Sequence, residues 1–245
     1  MKHKRTLKTI VVIIAWIGYS AILLSLANDR ESVLFDMKAS SRILTPLTEQ
    51  QVDSLWFLYG KNKKILPEYE MQSLIALSYY PELINTTITF KYLAGPTTMA
   101  ALPKFFSLFS RERKYCVLIT NNPKCDCILL NEAPFNAQVG AIGHELAHIA
   151  HYETKNFVGM IQLATHYMTK KGKRSLERET DMKTINHGLG WQLYDWQYSV
   201  FDSPKATEEY KTFKKEIYMS YDEIEQAIIN HTIYDSEHNH CSLAN

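Results

Sequence analysis

The stretch "AIGHELAHIAHY", residues 141–152, sets three histidines and one glutamate in an otherwise apolar frame. Ala141, Ile142, Leu146, Ala147, Ile149 and Ala150 supply small or aliphatic side chains, and Glu145 is the only charge among them. A run that apolar on nearly every side folds as a buried helix, so the rest of the chain has to assemble around it. Asn136 can cap such a helix, which then runs to about Tyr152. Residues four apart share a helix face, so His144 and His148 stand side by side. Two imidazoles placed this way can hold one zinc ion, and Glu145 beside them can take a proton from a water that the metal acidifies. Gly143 allows a neighbouring element to approach closely.

A catalytic zinc needs a third protein ligand and an open fourth position. His151 is on the same side of the helix, but seven residues put it about 10 Å from His144 along the axis, too far to share an ion. The longer pattern HExxHxxGxxH fails as well, because His151 stands where its glycine belongs and Thr154 where its third histidine belongs. A better partner lies in "SLERETDMKTINHGLGW". There Glu177 and Asp181 are four apart, so one carboxylate can ligate while the other takes a hydrogen bond from a ligating imidazole and fixes its tautomer. Glu179 is a rival ligand by position, but it points away from the Asp181 face.

An HExxH helix followed by a helix bearing ExxxD resembles the gluzincin metallopeptidases, in particular the HtpX and CAAX prenyl protease group. The likeness covers roughly residues 135–190. It implies His144, His148 and Glu177 as zinc ligands, Glu145 as general base and Asp181 as the partner of a ligand histidine. Thr180 occupies the position where the group usually has alanine. The resemblance also implies an antiparallel edge strand above the site helix to bind substrate backbone, and the strand ending near Asn131 is the expected one. An oxyanion-stabilising group is expected too, with His187 the leading candidate and Tyr194 and Tyr198 behind it. The function so implied is zinc-dependent hydrolysis of a peptide or protein substrate. The alternative is a zinc-stabilised, non-catalytic scaffold or interaction protein at the membrane.

At the N-terminus, basic "MKHKRTLK" precedes an uncharged run from Ile10 to Ala27. Eighteen helical residues span roughly 27 Å, enough to cross a bilayer core. Ser25-Leu26-Ala27 would also suit a signal peptidase. Either way the segment brings the chain to a membrane and exports the residues C-terminal to it, since its positive end stays inside. Lys plus Arg (27) nearly balances Asp plus Glu (26), which excludes the basic excess of a nucleic-acid binder. Two short basic runs, Lys61–Lys64 and Lys170–Arg174, read as solvated turns.

The 245 residues divide into 1–27 as signal or transmembrane anchor, 28–46 as linker, 47–235 as the metallopeptidase-like domain, and 236–245 as a disordered tail. Within the domain, Leu47–Tyr59 and Glu68–Tyr80 have helical periodicity and "NTTITFKYL" reads as a strand. "KYCVLIT" and "CILLNEA" flank the turn "NNPKCD" as a β-hairpin. Phe157–Lys170 reads as a helix broken by "KKGKRS", Ser175 caps the next, and His187-Gly188 ends it. Pro204 is placed at the start of the helix after "WQLYDWQYSVF". Cys125 and Cys127 stand too close for an unstrained bridge to each other. Cys116 either pairs with one of them or all three are small buried or turn residues. Helices, a small strand group and then mostly helices define an α+β fold: a mainly helical, zincin-like domain with a small antiparallel sheet, preceded by one N-terminal apolar helix.

Overall fold

The computed structural model describes residues 41–234 apart from position 111. The expected N-terminal apolar helix, most of the linker and the tail lie outside the described residues. Among those described, no helix is long and apolar enough to cross a membrane.

The chain is mostly helical, with one four-stranded sheet. In order come α1 (Glu49–Tyr59), β1 (Lys63–Lys64), α2 (Glu70–Ser78), β2 (Thr87–Tyr92), β3 (Met99–Pro103), β4 (Lys114–Ile119), α3 (Phe135–Glu153), α4 (Phe157–Tyr167), α5 (Lys170–Thr184), α6 (Gly190–Asp202), α7 (Glu208–Ile217) and α8 (Tyr221–Ile229). The sheet runs β1-β2-β4-β3. It is mixed rather than antiparallel: β1–β2 and β2–β4 pair parallel, and only β3–β4 is antiparallel. The reason is the path between β2 and β4. That connection carries β3, which folds back along the outer side of β4 and leaves β2 and β4 pointing the same way. Ile88 and Phe90 of β2 are buried alternately, by the period-two geometry of strands, while β4, inside the sheet, buries Tyr115, Cys116, Val117 and Ile119.

The expected hairpin does not form. After β4 the chain makes a loop closed by a Cys125–Cys127 disulfide, and Leu130–Glu132 is a turn of 3-10 helix. Backbone groups that a strand would need are taken by side chains: Glu132 accepts the Leu129 N–H at 3.0 Å, and Thr98 Oγ1 donates to the Ile128 carbonyl at 2.6 Å. Cys125 and Cys127, expected to stand too close for an unstrained bridge, do pair with each other, and Cys116 pairs with neither. A bend at Asp126 holds their Cα atoms 5.1 Å apart, inside the usual range for a bridge. Cys116 is a free, buried thiol.

Helix α3 is the centre of the domain, with almost every residue from Asn136 to His151 buried. Its N-cap position is held by Pro134, while Asn136 lies inside the first turn and makes tertiary bonds instead. Asn136 Oδ1 accepts from Leu44 N at 3.1 Å and its Nδ2 donates to the Arg42 carbonyl at 3.2 Å, so residues 41–44 are docked on the domain. Helix α6 crosses α3 very closely at Gly140, where an added Cβ would come within 2.0 Å of the Gln192 carbonyl oxygen. Gly143, one turn on, faces the Leu189 side chain as expected of it.

Helix α5 starts earlier than the sequence suggests. Thr169, not Ser175, is its cap, accepting the Gly172 N–H at 3.0 Å, so the lysine-rich stretch forms the first turn. Beyond Thr184 the chain passes through a π-helical turn, Ile185–Leu189, where Gly188 adopts φ 93° and redirects it into α6. A side chain there would be strained, which is why glycine ends α5 as expected. Helix α7 is capped by Thr207 rather than begun by Pro204.

Candidate metal centre

Helices α3 and α5 bring their polar residues face to face. His144 and His148 come from α3; Glu177 and Asp181 come from successive turns of α5 and are buried to 1% and 0% exposure. His144 Nε2 and His148 Nε2 each lie 3.1 Å from Glu177 Oε2. The three ligand atoms all fall within 4.8 Å of one another. Tetrahedral zinc with bonds of about 2.0–2.1 Å sets its ligand atoms roughly 3.3 Å apart, so the spacing fits one ion.

The proton positions strengthen that fit. Asp181 accepts the Met219 N–H at 2.9 Å through Oδ2, and its Oδ1 lies 2.9 Å from His144 Nδ1. That contact is short but bent, since the ring N–H does not aim straight at the oxygen. A carboxylate only accepts, so the His144 proton belongs on Nδ1. Thr180 Oγ1 donates its single proton to the Leu176 carbonyl at 2.8 Å, and so can only accept from His148 Nδ1, 3.2 Å away. Both imidazoles therefore present bare Nε2 lone pairs toward a carboxylate oxygen. Three acceptors face one another, and the arrangement calls for one positive charge between them.

The electrostatics agree. Burial alone would lower the His144 pKa, but hydrogen bonding to Asp181 and Glu177, and their charges, push it up to about 10. For Glu177, burial works upward, yet the His148 charge and the bonds to both rings hold it well below the ordinary carboxylate range. Without a metal, the site takes a proton in its place. Tyr167 holds the other Glu177 oxygen, donating to Oε1 at 2.5 Å.

Glu145 stands beside this cluster, 7% exposed, with Oε2 buried and unbonded among the described residues. Burial pushes its carboxyl pKa up. That oxygen is thus free to meet a partner that the described residues do not supply.

Along the site runs a cleft of about 450 Å³, walled by Ala101, Leu102 and Pro103 of β3 and by Met160, Leu163 and Leu176, and reaching Glu145, His148 and Glu177. The edge strand above the site helix is therefore β3, not the segment ending near Asn131. Phe105, which lines the cleft, is apolar and 67% exposed.

The sequence candidates divide accordingly. His144, Glu145, His148, Glu177 and Asp181 come together. His187 does not line the cleft; its ring stacks on Tyr80 and lies 2.9 Å from Glu82 Oε1 and 2.7 Å from the Lys183 carbonyl. Tyr194 and Tyr198 stack on one another and against Tyr221, away from the cleft lining. Glu179 is 60% exposed at its side chain and sits 3.4 Å from His151 Nδ1. Residues that sequence reasoning missed are Tyr167, Lys214 and Tyr218, which reach the site from α4, α7 and the turn after α7. Only their positions in three dimensions single them out among 15 tyrosines and many lysines.

No protein-family model, curated protein or solved structure matches this chain.

Proposed function

We propose that the chain is a zinc-dependent peptidase of gluzincin type, exported and held at a membrane by its N-terminal segment. One observation carries the reading: three ligand atoms converge within 4.8 Å of one another beside a buried carboxylate with a spare oxygen. His144, His148 and Glu177 would hold the ion, and their two-histidine, one-carboxylate set is that of hydrolytic zinc sites. When bound, zinc supplies Lewis acidity, lowering the pKa of water toward neutrality and polarising a substrate carbonyl.

The chain's own groups do the rest. Glu145 accepts a proton from the attacking water; its raised pKa suits a base that must also give the proton up again. Asp181 and Thr180 keep both imidazoles in the ligand tautomer. Tyr167 fixes the Glu177 carboxylate. Strand β3, at the sheet edge and along the cleft, offers its free side for a substrate strand. The apolar cleft walls and the exposed Phe105 side chain favour apolar segments. The Cys125–Cys127 bridge supports export, since such bonds persist in oxidising compartments.

Glu145→Gln is the test. The variant should bind zinc as the wild type does and lose peptide hydrolysis by at least about 10²-fold. Retained zinc and unchanged biological activity would favour the scaffold alternative.

A further inference from the structure

Beyond Glu145 the cleft narrows into a cavity of about 20 Å³, space for one or two water-sized groups. Unlike the apolar cleft, its lining is largely polar: Thr98, Gln197, Tyr210 and Lys214, together with His144 and Glu145 of the metal centre. Lys214 is 6% exposed. Its Nζ sits 3.4 Å from the centroid of the Tyr218 ring, and no carboxylate among the described residues is within ion-pairing distance. Burial lowers its pKa, and the charges of Asp181, Glu177 and Glu145 oppose that shift only from a distance.

A second lysine, Lys63, is equally buried, but its Nζ donates to the carbonyls of Leu83, Ile84 and Thr86 at 3.0, 3.1 and 2.8 Å. Lys214 has no such cage. Gln197, across the cavity, is 1% exposed, and neither Nε2 nor Oε1 of its amide has a partner among the described residues. A buried ammonium whose close partner is a ring face, and a buried amide left unbonded, are each costly, so both are expected to meet a ligand.

We propose that this cavity is a carboxylate-binding subsite, in which the Lys214 ammonium and the Gln197 amide N–H take the two oxygens of a substrate carboxylate. The cavity has room for that group and little more, while the remainder of the substrate lies in the apolar cleft. The inference rests on the peptidase reading for the nature of that remainder. The carboxylate is either the C-terminal one or an aspartate or glutamate side chain. Lys214 is thus a specificity-determining residue.

The test is equilibrium binding to the full-length, zinc-loaded Glu145→Gln protein, which does not turn the peptide over. Three dansylated probes are compared: alanyl-leucyl-phenylalanyl-alanine with a free carboxyl terminus, its C-terminal amide, and the amide with aspartate as last residue. At least one carboxylate probe should bind about ten- to a hundredfold more tightly than the plain amide, the size expected of charged hydrogen bonds. Preference for the first marks a terminal carboxylate, for the third a side chain. Lys214→Met should abolish the preference, keep zinc and unfold no earlier than the parent, because it removes an uncompensated buried charge. Equal binding of all probes, or equal weakening of all by Lys214→Met, overturns the subsite. Metal analysis of the same samples separates the two ideas. Zinc without carboxylate preference sinks the subsite alone; preference in a protein that binds no metal keeps the subsite and removes the hydrolase.

Discussion

Thr180 stands 3.2 Å from His148 Nδ1 with its only proton committed to the Leu176 carbonyl. The hydroxyl therefore acts as a fixed acceptor that turns the His148 ring and bares its Nε2. A residue that departs from the resembled sequence pattern thus does for His148 what Asp181 does for His144. Thr180→Val keeps the shape and removes the acceptor. It should weaken metal binding about 10–100-fold, with Thr180→Ser near wild type, measured by competition with a chelator. Unchanged affinity in the valine variant would remove Thr180 from the site.

The His144 pKa sets a pH dependence. Its folded value, about 10, exceeds the ordinary 6.5, so between those values this imidazole keeps its proton in the metal-free native chain and loses it on unfolding. The stability from this group is complete below about pH 6.5 and is lost as pH rises through about 10. Zinc replaces that proton. Uptake near pH 8 should release about one proton per ion, read by calorimetry in buffers of different ionisation heat. Affinity should rise with pH up to about 10. No proton release near pH 8 would contradict the site as described.

Gly140 tests the packing. Alanine would favour the helix by up to about 1 kcal/mol on propensity alone. Its Cβ would meet the Gln192 carbonyl oxygen at 2.0 Å, however, and that oxygen belongs to the backbone of a tightly packed helix. Overpacking of this kind costs about 1–3 kcal/mol or more, and the clash should win. Gly140→Ala should lower Tm by roughly 3–10 °C for a domain of this size. An unchanged or higher Tm would mean that α6 does not cross α3 as closely as described.

The metal ligands were legible in the sequence because their signal is local: His144 and His148 share a helix face by spacing alone, and so do Glu177 and Asp181. The convergence of the two helices was not derivable from either pattern and came only from resemblance. Sheet topology was harder to read, since "CILLNEA" has strand composition while Glu132 and Thr98 divert its backbone groups. The start of α5 was hidden because lysines at a helix N-terminus oppose its dipole, yet Thr169 caps it. His187 was an attractive candidate by distance along the chain, but the turn at Gly188 sets it beside Glu82. Lys214 carries no local signal; its meaning lies in what fails to surround it.

The central claim is that His144, His148 and Glu177 share one divalent ion. The most direct measurement is the metal content of the purified full-length protein, taken together with the same assay on Glu177→Ala. One zinc per chain in the wild type, and loss of most of it in the variant while the helical circular dichroism persists, is the predicted result. A wild-type protein without stoichiometric metal, or a Glu177→Ala protein that retains it in full, would contradict the account.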